Sequence, residues 1–239
     1  MSELGLRQLF LDFSVNRQAN QQKFILSESN REAFLYVASW PNWPCYANLV
    51  YGPKGSGKSF IAEFWGRNLN AISIDLYKTP KKDLNYLLKK NKYFIFDDFD
   101  FYFTRKNLLR NLDKHEYDSF DNAFQDILDY IKNEQKYVFL TSNVPPNKIN
   151  IKTPDLQNRI NTISSFPIYS PDLSALRNMY EQKFLQYRME GKQQIINYLA
   201  DHSSSSYKNA LANFEKIKNY SFSNNAHLSL PDVKAIMSL

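Results

Sequence analysis

The sequence predicts an α/β fold in which a phosphate-binding domain on a parallel five-stranded sheet is followed by a small, all-helical lid domain. Three observations predict it. An apolar strand runs into Gly52-Pro-Lys-Gly-Ser-Gly-Lys-Ser59, after which Ile61, Phe64, Trp65 and Leu69 recur on one helical face. Apolar runs of strand length then alternate with helical periodicities up to about residue 170. From Pro171 that alternation stops and helical patterns alone follow. The expected organisation is a flexible tail over 1–22, the α/β domain over 23–170 and the lid over 171–239.

Composition narrows the function classes. The 239 residues are 43% hydrophobic, enough for a sizeable core in one large domain with a small satellite. No run approaches the ~20 apolar residues needed to span a bilayer, and no early apolar stretch suits a signal peptide, so the cytoplasm is expected and a membrane partner is not. One cysteine, Cys45, excludes an internal disulfide, and three histidines show no metal-ligand cluster. The net charge of +6 gathers partly in Lys81, Lys82, Lys89, Lys90 and Lys92, which suits a solvated helix face or a patch near DNA. Direct DNA contact is expected to be weak or none, because no aromatic or arginine-rich groove motif accompanies the lysines.

In chain order, the polar tail is interrupted by Gln8-Leu-Phe-Leu-Asp-Phe13, an apolar knot that needs a pocket on its own domain or elsewhere. Ser29 or Asn30 should cap a helix reaching about Trp40. The phosphate loop follows. Gly52, Gly55 and Gly57 let backbone N–H groups converge on phosphate oxygens, Ser56 and Phe60 belong to the same binding stretch, and the helix N-terminus adds partial positive charge. Lys58 should reach the β- and γ-phosphates, and Ser59 should face a magnesium ion. A short strand over 71–75 precedes a helix opened by Thr79-Pro80, with Leu84, Leu87 and Leu88 inward.

Tyr93-Phe-Ile-Phe-Asp-Asp98 reads as an interior strand delivering two carboxylates at its C-terminal end. Asp97 is placed to hold the magnesium ion and Asp98 to orient or polarise water. No structure is assigned to 99–118. Phe120, Ala123, Phe124, Ile127, Leu128 and Ile131 mark a core-facing helix, and Lys136 to Asn143 a fourth strand. Asn143 either lies between the carboxylates and the γ-phosphate or is a turn residue. A short helix then starts at Pro154 and a last strand near Ser165. The lid patterns use Leu173, Leu176, Tyr180 and Phe184, then Ile195, Ile196 and Leu199, then Leu211, Phe214 and Ile217, with a strand-like turn into a short helix over 228–236.

Together these pieces resemble the AAA+ ATPases and, within them, the DnaA family: Ser29-Asn-Arg-Glu-Ala33, Asp97-Asp98-Phe-Asp-Phe, Leu140-Thr-Ser-Asn and Pro154-Asp-Leu-Gln-Asn-Arg159 are each similar to a DnaA box. The chain stops where a DnaA would continue into a helix-turn-helix domain, which is similar to the regulatory inactivators of the Hda type. The resemblance implies ADP or ATP with Mg2+ as ligand, Asn143 as sensor 1, Arg159 as an arginine finger and Lys208 in place of the sensor 2 arginine. It also implies DnaA and the DNA-loaded sliding clamp as partners, the clamp held through Gln8, Leu9, Leu11 and Phe13, with a homo-oligomer possible. An independent ATPase such as a helicase loader and a nucleotide-gated anchor without enzymatic effect remain open alternatives.

Overall fold

A computed structural model describes residues 26–104, 120–224 and 228–238. The tail residues Gln8, Leu9, Leu11 and Phe13 lie outside them, as does most of the connection after residue 104. The elements run α1 (Arg31–Ala38), β1 (Ala47–Tyr51), α2 (Lys58–Leu69), β2 (Ile72–Ser73), α3 (Lys81–Lys90), β3 (Tyr93–Phe96), a 3-10 turn (Phe99–Phe103), α4 (Phe120–Asn133), β4 (Tyr137–Ser142), α5 (Pro154–Thr162) and β5 (Ser164–Pro167). Four lid helices follow: α6 (Leu173–Gln186), α7 (Gln193–Asp201), α8 (Tyr207–Asn224) and α9 (Leu230–Met237). Among the described residues no helix is long and apolar enough to cross a membrane.

All strand pairs are parallel and the sheet order is β2-β3-β4-β1-β5, so β1 and β3 flank the central β4. Their apolar runs are continuous because both sheet faces are covered. Leu49, Phe94, Phe96, Val138 and Leu140 join one core with α3, α4 and α5, whereas Val50, Ile95 and Phe139 join a second core with α1 and α2. Gly66 allows the close approach of α2: a Cβ there would lie 2.6 Å from Ile95 Cδ1. A third core, built on Tyr180, Phe184, Leu199 and Phe214, belongs to the lid alone.

Several local expectations are corrected. Pro80 is the N-cap of α3 and not its first residue, because its ψ of 151° is still extended. Asn30 does stand at the N-cap of α1, but its Oδ1 accepts from Ser27 N at 3.0 Å, behind the helix. Leu173 is 46% exposed, since the first turn of α6 lies outside the lid core, which the helix joins at Leu176. Among the described residues no strand precedes α9, and a capping box between Ser229 and Asp232 starts that helix. The short helix begun at Pro154 extends to Thr162, which places Arg159 in the last turn of α5.

Candidate functional site

Parallel strands deliver their C-terminal ends to one edge of the sheet, and there β1, β3 and β4 bring the phosphate loop, Asp97, Asp98 and Asn143 together. The loop turns on Gly55 and Gly57, at φ +81° and +106°, conformations that a side chain rarely adopts. Gly52 serves through closeness: a Cβ there would stand 1.9 Å from the Ile168 carbonyl oxygen. Lys58 is buried, and its Nζ donates to Gly52 O at 2.9 Å, Pro53 O at 3.1 Å and Asn143 Oδ1 at 3.2 Å. Burial pushes the Lys58 pKa down, against the upward pull of Asp98, Asp100 and Asp97.

Ser59 Oγ donates to Asp97 Oδ1 at 3.1 Å, so the two groups expected at a magnesium ion face each other. Thr141 Oγ1 also donates to Asp97 Oδ1 and accepts from Asp98 N at 2.8 Å, tying β3 to β4 at their ends. Asp98 takes a left-handed conformation, φ 48°, and its Oδ1 accepts from Asn143 Nδ2 at 3.1 Å. Burial, reinforced by the neighbouring Asp97 carboxylate, raises the Asp98 pKa above the usual carboxylate range.

Above this edge the lid closes a cavity of about 850 Å³. Gly55, Ser56, Gly57, Lys58, Ser59, Phe60, Asp98 and Asn143 line its floor, and Met179, Gln182, Lys183, Leu185, Gln186, Tyr207, Lys208 and Leu211 line its roof. The lid touches the loop directly: Tyr207 N donates to Gly55 O at 3.0 Å, and a Cβ on Gly55 would meet Ser206 Oγ at 2.2 Å. Lys208, in the first turn of α8, therefore stands beside the phosphate loop.

The donor set fits a nucleotide phosphate chain with a divalent cation. Lys58 donates to three neutral oxygens, two carbonyls and one amide. Ser56 Oγ is buried in the loop without a hydrogen-bond partner among the described residues. A carboxylate and a serine hydroxyl meet where the cation would bind. Arg159 is not brought into this cavity. Its guanidinium pairs with Asp129 of α4, and the two side chains are 27% and 38% exposed. Two site residues were not singled out from sequence. Thr141 and Asp100 both sit in quoted motifs, but only the folded ends of β3 and β4 show that they hold Asp97 and Asn143.

No protein-family model and no curated protein sequence matches the chain. Its three-dimensional structure is similar to domain III of the Thermotoga maritima replication initiation protein DnaA, with TM-score 0.70 and 16% identity over 90% of this chain and 93% of that one. The chain shares the fold of that domain. AMPPCP-bound DnaA from Aquifex aeolicus gives TM-score 0.66 at 18% identity, over 86% of this chain and 66% of that chain. The Thermotoga maritima RuvB Holliday junction branch migration motor gives 0.66 at 12% identity, over 93% of this chain and 72% of that chain.

Proposed function

We propose that this chain is an AAA+ protein that binds an adenine nucleotide with Mg2+ in the cleft under its lid and regulates replication initiation by stimulating ATP hydrolysis on DnaA. The observation that carries the nucleotide reading is the meeting of Lys58, the Ser59–Asp97 pair, Asp98 and Asn143 in one cleft roofed by Lys208. A bound magnesium ion would neutralise phosphate charge and polarise the transferred phosphoryl group. Ser59 and Asp97 are the residues to hold it. Lys58 compensates phosphate charge, Asp98 accepts a proton or orients water, and Asn143, held between Lys58 and Asp98, senses the end of the phosphate chain. Lys208 contributes a point charge from the lid without the planar fork of an arginine.

The regulatory part rests on similarity to DnaA and on Arg159, which stands outside its own cleft and is thus suited to a neighbouring molecule's nucleotide. To act there the guanidinium would exchange Asp129 for phosphate, an arginine finger worth ~10³ to 10⁵ in rate in related chemistry. Gln8 to Phe13 would hold the chain on the sliding clamp. The test is hydrolysis of ATP by DnaA with this protein, clamp and DNA present or omitted. Stimulation is expected with all three. It should disappear in Arg159→Ala with nucleotide binding intact, and in a variant with Leu9, Leu11 and Phe13 changed to alanine with the melting temperature unchanged. Full stimulation by Arg159→Ala would contradict the trans mechanism. A second reading, an ATPase acting by itself, is favoured by the presence of Asp97, Asp98 and Asn143 in a single cleft, and turnover without DnaA would support it.

A further inference from the structure

Asn143 carries two opposite functions on one side chain, an acceptor oxygen and a donor amide, and only its neighbours decide which end points where. Lys58 Nζ can only donate, so Oδ1 faces it at 3.2 Å. Asp98 lines the cavity and accepts from Nδ2 at 3.1 Å, but that carboxylate is also the one exposed to bound ligand. A second carboxylate stands behind it. Asp100, 9% exposed and outside the cavity lining, accepts from Asn143 N at 3.1 Å through Oδ1, and both its oxygens lie 3.4 Å from Asn143 Nδ2.

We propose that Asp100 is the positioning residue of the phosphate sensor: it grips the backbone and amide of Asn143 together, so that the amide keeps its orientation when Asp98 is engaged by ligand and water. The 3-10 turn after β3 makes this possible, because it folds Phe99–Phe103 back against the end of β4. An acid two residues beyond Asp98 then reaches the first residue past that strand. A glutamine or asparagine at 100 would present donors and acceptors alike and would leave Asn143 free to turn over. The inference rests on the cleft being a nucleotide site whose Asn143 reads the terminal phosphate.

The experiment is equilibrium titration of the purified full chain with ATP and with ADP, in Mg2+, for the parent, Asn143→Ala, Asp100→Asn and the double variant. Asp100→Asn should lower the ATP-to-ADP affinity ratio by about tenfold, the scale of one well-oriented hydrogen bond, while ADP affinity stays within about twofold. The double variant should lose no more than Asn143→Ala alone, because both act through one group. A ratio that falls in Asn143→Ala but is unchanged in Asp100→Asn overturns the inference and leaves the nucleotide reading standing. A parent that binds neither nucleotide overturns that reading and the inference with it, and a parent that binds both alike overturns the inference alone. Should Asp100→Asn fail to fold, Asp100→Glu, which keeps the charge but shifts the carboxylate by one methylene, is read by the same ratio.

Discussion

Asp98 concentrates the energetic cost of the cleft at the residue scale. It is a non-glycine residue at φ 48°, which costs on the order of 1–3 kcal/mol, and burial beside Asp97 raises its pKa. The folded state therefore binds its proton more readily than the unfolded chain does. Its contribution to stability is present below the ordinary carboxylate pKa and is lost as pH rises through the raised value. Asp98→Asn should accordingly raise the melting temperature at neutral pH, and the gain should shrink as the solution is acidified through the carboxylate range. Thermal melts at several pH values check this. A lower melting temperature at pH 7 would mean that the hydrogen bond from Asn143 and the charge attraction of Lys58 outweigh the desolvation. Arg159 shows the opposite economy: its pair with Asp129 is partly exposed, worth about 1 kcal/mol or less, and is cheap to exchange.

At the scale of elements, the phosphate loop and the start of α8 form one unit across two domains. Gly55 has no Cβ to collide with Ser206, and its carbonyl holds Tyr207 N, so backbone contact keeps lid and loop in register. Gly55→Ala would strain φ and push Ser206 away. Nucleotide affinity should fall at least about tenfold with a melting temperature loss of a few degrees, seen by titration and calorimetry on the same preparation. Unchanged affinity would show that lid contact with the loop is irrelevant to binding. The strands and amphipathic helices were legible in the sequence because continuous apolar runs and 3.6-residue periodicity record burial directly. The loop, Asp97, Asp98 and Asn143 were legible because each ends a strand. Asp100 and Thr141 were not, since their role is a partnership across two strand ends that lie some 40 residues apart in the chain, 43 for Asp100–Asn143 and 44 for Asp97–Thr141. The outward turn of Leu173 escaped for a similar reason: periodicity marks an apolar face but not where the helix leaves its core.

For the whole molecule, separate cores in the α/β domain and the lid, joined over a ligand-sized cleft, mean that a ligand bridging both would bias their closure. Nothing in the sequence alone fixed how the lid meets the loop, because that contact is made by backbone atoms and by a glycine's missing side chain. Calorimetric titration of the full chain with ATP and Mg2+, beside Lys58→Ala, tests most directly whether this cleft is the nucleotide site. Saturable one-to-one binding by the parent, abolished in a folded Lys58→Ala, is the predicted result. Binding of undiminished affinity by Lys58→Ala, or none by the parent, would contradict it.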